Sequence, residues 1–451
     1  MKRFIEKFAL RVMMVALGLL AQSPSGAQEA SYPIDLPTVL RLAGARNLDI
    51  QVARQRLSEA QADKTVAVEQ FFPWISPGIG YHRLDGLAQS SSTGAIDEAH
   101  YQSYAPGGTL SAEVAIGDAI YHLLAAKQIV TAAGHALESQ QLDASLAAVQ
   151  GYYDLLSAKE LVGVATEAVR ISQDYQNQLH EAVGAGIAFK GDELRVTVQT
   201  EQYRVDLRKV VESRRIQAAR LVEILHLDST VDLDAQDADF VPLTIMDTAV
   251  AQDSLVHLAF TLRPEPKQYK ALLAAAQAVK NGAVYGPLVP SVNLDAYAGG
   301  FGGGPDSVAK VFGATEDILV GLGWRIGPGG LFDFGRIHAA EARVDEARLS
   351  GEKLHDRITR EVVESHARVQ SLADQIAAIR TTVSTAEETL RLTEQRKEFG
   401  MGLVLEVIQA QQDLARARAD YAAVVGEYNK AQYALFRAIG GTGAMAGGER
   451  R

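Results

Sequence analysis

The longest regular pattern in the chain has a period of seven. Val362, Val369, Ile376, Val383 and Leu390 recur at that spacing, with Leu372, Ile379 and Ala386 between them. Ala148, Leu155, Val162 and Val169, interleaved with Ala158 and Ala165, carry the same phase earlier. A sustained heptad means helices that supercoil around neighbours with knobs in holes. The pattern predicts long helices over 119–183, 193–227, 333–398 and 405–438. The first would be about 100 Å long at 1.5 Å per residue. Alanine at many seam positions lets helices approach closely, which favours an assembly of many helices over a lone pair.

Elsewhere the period is two. Ile318, Val320, Leu322, Trp324 and Ile326 alternate with Gly321, Gly323 and Arg325. Leu110, Ala112, Val114 and Ile116 do the same, as do Val292, Leu294, Ala296 and Ala298, and more weakly Ile79 and Tyr81. The alternation predicts strands over 76–85, 107–117, 290–301 and 315–326. Gly- and Ser-rich stretches at 86–106 and 299–304 are expected to be loops between them. The run 299–304 lacks the Lys-Ser/Thr of a phosphate loop.

The two kinds of segment recur in one order. Residues 28–227 and 252–441 each hold a helix (37–71, 252–283), a proline that ends it (Pro73, Pro290), two strands and two long helices. The period far exceeds that of a solenoid, so the plan is a duplicated half-molecule. The stretch 228–251 is an acidic, non-periodic linker, and 442–451 a flexible tail.

Composition narrows the class. The 451 residues include 44 basic and 55 acidic side chains, a net charge of −11, and no cysteine. Disulfides, thiolate metal sites and a cysteine nucleophile are excluded. Little basic charge is available to neutralise phosphates, so nucleic acid is not an expected partner. Residues 1–27 have a basic head at Lys2, Arg3, Lys7 and Arg11, an apolar run from Val12 to Ala21 and a small-x-small end at Ser25-Gly26-Ala27. This is the pattern of a cleaved secretory signal peptide. Its removal takes away four bases and one acid, leaving an exported chain of net charge −14. No later stretch reaches the roughly 18 consecutive apolar residues of a spanning helix. The exported chain is therefore soluble or a membrane β-barrel. Four strands cannot close a barrel, for which about eight is the minimum, so a spanning chain must oligomerise. Two copies supply eight strands and three supply twelve.

The whole chain after residue 27 resembles the TolC-like outer-membrane efflux protein family. The resemblance rests on the duplicated plan, the two-strand insert in each half, and the turn motifs Val183-Gly184-Ala185-Gly186-Ile187 and Phe399-Gly400-Met401-Gly402-Leu403. It extends to Gly400–Gln411 as a second-half tip and Arg325–Arg336 as a strand-to-helix crossing. It implies a fold that is mainly α with a membrane β-barrel part: a homotrimer with a twelve-stranded barrel in the outer membrane and a twelve-helix tunnel in the periplasm. It also implies a periplasmic adaptor and an inner-membrane transporter of RND, ABC or MFS type as partners. The alternatives are a type I protein-secretion channel and, in a different class, a soluble periplasmic coiled-coil scaffold. No catalytic constellation, metal spacing or cofactor motif is present in the sequence, and an enzyme is not expected.

The resemblance assigns candidate sites. Gly186, Ile187, Gly400 and Met401 would contact adaptor tips, although glycines there also serve simply to reverse the chain. Asp192 with Glu193, and Glu406, match acids that line the family's pore mouth, while Gln409 stands where a second acid is usual. Three copies of Glu406 would form an acidic ring that favours cations. The plainer expectation for Asp192 is an N-cap. Lys397 and Gly402 replace the tyrosine and arginine that link the family's closed mouth. Lys397 with Asp192, or Arg195 with Glu406, is expected as a substitute latch. Tyr81, Tyr297, Phe301 and Trp324 are candidates for an interfacial aromatic belt.

Overall fold

The computed structural model describes residues 32–90, 92–236, 240–247, 249–305, 311–398 and 402–441. The expected signal peptide and tail lie outside these residues. After β1 (Tyr32–Ile34), helices α1 (Leu36–Arg46) and α2 (Leu48–Glu69) lead into β2 (Trp74–Gln89) and β3 (Ile96–Ala115). Helices α3 (Ile116–Gly184) and α4 (Lys190–Ile224) follow. Strand β4 (Leu233–Ala235) then precedes a second passage through the same order. It comprises α5 (Gln252–Leu262), α6 (Pro264–Tyr285), β5 (Ser291–Pro305), β6 (Val311–Gly323), α7 (Phe334–Glu398) and α8 (Val404–Ala438).

The segments expected as single helices, 37–71 and 252–283, are each broken once, at Asn47 and Arg263. Asn47 accepts from the N–H groups of Asp49 and Ile50 at 2.9 and 3.2 Å and so starts a new helix. Arg263 precedes Pro264, which pushes it out of the helical region. Both side chains then reach the last turn of a neighbouring helix. Asn47 Nδ2 donates to the Ile224 carbonyl at 3.3 Å, and Arg263 Nη1 to the Ala438 carbonyl at 3.2 Å. Each break thus joins a short upper helix to the end of a lower one.

The heptad seams are buried. Ile358, Val362, Val369, Leu372 and Ile376 of α7 pack with Leu255, Tyr428 and Leu435. Ala148, Tyr152, Leu155 and Leu156 of α3 pack with Leu221, Leu225 and Tyr433. A third cluster, with Tyr175, Leu179, Val196, Ala386, Leu390 and Val407, fills the far end, where both long helix pairs turn. The segment after α4 is not purely irregular. Its β4 pairs in parallel with β1, and Leu233 and Ala235 are buried against α3 and α4. Farther along, Asn429 and Gln432 of α8 accept the backbone N–H groups of Leu243, Ile245 and Met246.

Strands β2-β3-β5-β6 form one antiparallel sheet in that order, and among the described residues neither β2 nor β6 has a further partner. Helix α3 packs against α2, α4, α6 and α8, and α7 packs against α6 and α8. The helix layer therefore has the same lateral order as the strands. Two expectations need correction. Residues 86–89, 96–106 and 299–304 are strand, not loop, and 116–117 already belong to α3. The glycine run lies where neighbouring backbone and aromatic rings leave no room for a Cβ. A Cβ at Gly107 or Gly299 would collide with the Tyr297 ring, and one at Gly300 or Gly302 with Phe312. The last strand ends at Gly323, so Trp324 and Ile326 lie beyond it, in a Gly-rich crossing. Gly327 and Gly329 there have φ of 108° and 75°.

Candidate channel wall and tunnel tip

The sheet register sorts residues onto two faces. One face carries Ile75, Ile79, Leu110, Ala112, Val114, Val292, Leu294, Ala296, Ile318, Val320 and Leu322. The other carries Ser76, His82, Ser103, Thr109, Ser111, Glu113, Asn293, Asp295 and Asp317, with many glycines. No described element covers the apolar face: Ile79 is 81% exposed, Leu322 71% and Ile318 70%. On β3 the apolar row runs from Val114 to Tyr104, about 34 Å of strand at about 3.4 Å per residue. At a strand tilt of about 40° this is a band about 26 Å tall, close to the roughly 25 Å of an outer-membrane barrel.

Among the belt candidates, Tyr81 closes the outer end of this band. Tyr104 stands beside it, with ring centroids 5.2 Å apart, and Phe312 lies in the same row two strands beyond Tyr104. Trp324 lies beyond the other end and donates Nε1–H to the Leu288 carbonyl at 3.1 Å. Tyr297 and Phe301 are not on the apolar face. Tyr297 pairs with Thr109 and Asp317, and its hydroxyl donates to the carbonyls of Pro106 and Gly300. Phe301 is opposite Gly313 on that same polar face. Tyr104 and Phe312 were missed because they fall in segments taken for loop or turn; the unbroken alternation through the glycines was the available signal.

At the opposite end of the helices, Gly186 takes φ of 75° in the α3–α4 turn and Ile187 is 82% exposed. Gly400 and Met401 lie outside the described residues. Glu193 accepts from His180 Nδ1 at 2.9 Å and Lys190 Nζ at 2.6 Å, contacts that hold its carboxyl below the usual range. Asp192 is not the N-cap of α4; Phe189 holds that position, and Asp192 pairs with Arg195 at 3.1 Å. Glu406 stands 3.6 Å from Arg396, and Gln409 donates to Asp413 at 3.1 Å.

Neither expected latch pair forms. Arg195 is taken by Asp192 on its own helix, one turn away. Lys397 instead lies over the Tyr175 ring, 3.8 Å from its centre. The seam that buries Tyr175 also half-buries Lys397, and burial lowers the lysine pKa while the Asp192 and Glu394 carboxylates oppose the shift. Burial likewise raises the Tyr175 pKa. The contact joins α3 to α7.

Above the tip, charged pairs tie α8 to both long helices. Lys430 bonds Asp154 of α3 at 2.5 Å, and Arg368 of α7 bonds Glu427 at 2.6 Å. Higher still, Arg437 bonds Asp143 and Glu265, and Arg263 bonds Glu265 and Glu361, each at 2.8 Å. Burial alone would raise the Glu265 pKa, but the two guanidinium groups override it and bring it down to about 2. Lys430 lies about 200° around α8 from Gln432, on the side away from the linker. Among the described residues no helix is long and apolar enough to cross a membrane.

Comparisons with known proteins agree with this architecture. No curated protein matches the chain. Among solved structures, the CmeC outer membrane channel of Campylobacter jejuni superposes with a TM-score of 0.77 at 17% identity, over 90% of this chain and 85% of that one. VceC of Vibrio cholerae gives 0.75 at 18%, over 90% and 96%, and the open MtrE channel of Neisseria gonorrhoeae 0.71 at 17%, over 90% and 89%. Such identities establish the fold. The family itself is established by a model of outer membrane efflux proteins that matches residues 39–225 and 263–441, most of the chain and both passages of the element order. The chain therefore belongs to the outer membrane efflux protein family, the TolC-like channels that its sequence resembles.

Proposed function

We propose that three copies of this chain form an outer-membrane exit duct of a tripartite efflux pump. The observation that carries the reading is the sheet: two-faced, uncovered on its apolar side and open at β2 and β6, yet continuous with helices about 100 Å long. Open edges are not tolerated in lipid, so β6 of one copy pairs with β2 of the next. Three copies give twelve strands, with the apolar face to lipid and the Asp295–Asp317 face to the lumen. Exposed Leu194, Val198 and Val205 of α4 and Leu349 of α7 mark the matching helix edges. A soluble scaffold has no use for so large a bare apolar face.

The repeated element order is that of a duplicated half-molecule, 28–227 and 252–441, joined by 228–251 around the tunnel's waist and preceded by a signal peptide cut after Ala27. The Lys430–Asp154 and Arg368–Glu427 ties face the tunnel interior. Asp192, Glu193, Arg195, Lys397, Glu406 and Gln409 form the periplasmic entrance, and three copies of Asp192 and Glu406 make it prefer cations. The turns at Gly186-Ile187 and Gly400-Met401 meet a periplasmic adaptor, which links the duct to an inner-membrane transporter of RND, ABC or MFS type. Transport energy comes from that transporter; the duct is not an enzyme. Co-purification of the chain with an adaptor, lost on replacing Ile187 with Asp, tests the partner assignment. An adaptor retained at full strength by the variant would contradict it.

A further inference from the structure

Two glutamines of α8, Gln411 and Gln432, lie three heptads apart, at equivalent seam positions. Both are buried, 5% and 0% exposed. Gln432 uses both ends of its amide: Oε1 accepts from Ile245 N at 3.2 Å and Met246 N at 2.9 Å, and Nε2 donates to the Tyr428 hydroxyl at 2.9 Å. At Gln411 no described segment plays that part, and among the described residues neither Oε1 nor Nε2 has a hydrogen-bond partner. The Tyr203 hydroxyl of α4 is likewise buried, with Gln199 one turn back on the same helix as its nearest polar neighbour.

Both residues line one cavity. It opens on one side, its walls include Glu167 and Arg418 as well as Val164, Ile171, Leu390 and Leu414, and it measures about 20 Å³. A cavity needs about 10–15 Å³ on this measure to hold one water, and the water needs two to four polar partners. Gln411 supplies an acceptor and a donor, and Tyr203 a hydroxyl that serves as either. A buried amide left dry is strongly disfavoured, and native interiors avoid it.

We infer that a single structural water occupies this cavity, bonded to the Gln411 amide and the Tyr203 hydroxyl. It does for Gln411 what the 245–246 backbone does for Gln432, and it joins α8 to α4 beside α3 and α7. The site lies in the tip half of the helices, so the seam there is closed by an exchangeable molecule, whereas farther up it is closed by the chain itself.

The test is a crystal structure of the detergent-extracted full chain at a resolution that shows ordered water. The expected result is one spherical peak about 2.7–3.2 Å from the Gln411 amide. An empty cavity, or density too long for a water, overturns the inference. A second measurement is independent of the crystal. If the amide is dry, Gln411→Leu removes an unsatisfied group and raises the melting midpoint by several degrees. If a water satisfies it, the midpoint does not rise. Tyr203→Phe should weaken the peak without abolishing it, and an unchanged peak removes Tyr203 from the site.

Discussion

Lys397 Nζ lies 3.8 Å from the centre of the Tyr175 ring, and this contact links α7 to α3 at the tip. The arrangement places a cation on an aromatic face inside a half-buried seam, where such contacts are worth about 0.5–2 kcal/mol. Lys397→Met should therefore shift a closed-to-open equilibrium by about 2- to 30-fold toward open. Lys397→Arg, which keeps the cation on the ring, should stay near the parent. Single-channel open probability of the reconstituted protein measures the shift. Equal open probability for Met and the parent would show that the contact does not hold the mouth.

The entrance acids make a separate prediction about ions. Asp192 and Glu406 face exposed arginines and are only weakly neutralised, since exposed pairs contribute about 0–1 kcal/mol. Replacing both with Ala should raise conductance and reduce the preference for cations. A reversal potential across a salt gradient reads the preference. An unchanged potential would remove these two residues from the pore mouth.

Glu265 predicts how the assembly responds to acid. Its carboxyl is depressed from 4.5 to about 2 in the folded chain. The stabilisation is then complete above pH 4.5 and is lost as pH falls through about 2. The shift corresponds to about 3 kcal/mol at neutral pH, shared with Arg263 and Arg437. Glu265→Ala leaves two buried guanidinium groups short of a partner and should cost about 3–5 kcal/mol. Denaturant unfolding at pH 7 and at pH 3 separates the two effects. The gap between parent and variant should narrow at the lower pH, and a constant gap would contradict the assignment.

The two sheet faces differ in what they tolerate. Val320→Arg puts a charge on the apolar face and should cost about 2–4 kcal/mol, enough to impair insertion. Asp295→Arg, on the polar face, should insert normally and alter ion selectivity. Heat-modifiable migration of membrane fractions reports insertion. Equal insertion of both variants would mean that the register does not divide lipid from lumen.

The helices could be read from sequence because a heptad is a long-range regularity: Val362, Val369 and Ile376 are buried where the period puts them. The strands were visible only where the apolar positions are large. Gly299–Gly304 look like a loop in sequence because what favours glycine there, the carbonyls of paired strands and the Tyr297 and Phe312 rings, comes mostly from positions the local pattern does not connect. The same limit explains the tip. Charge alone pairs Lys397 with Asp192, but the rotation of α3 presents Tyr175 instead. The breaks at Asn47 and Arg263 also escaped, although Pro264 was a local signal for one of them.

Conduction across a membrane by an oligomer of this chain is what the bare sheet and its open edges require. The direct measurement is planar-bilayer conductance of the detergent-extracted protein, with its mass determined on the same preparation. The expected result is a trimer of the processed chain with small, cation-selective openings. A protein that leaves the cell envelope without detergent, runs as a monomer and passes no current would contradict it.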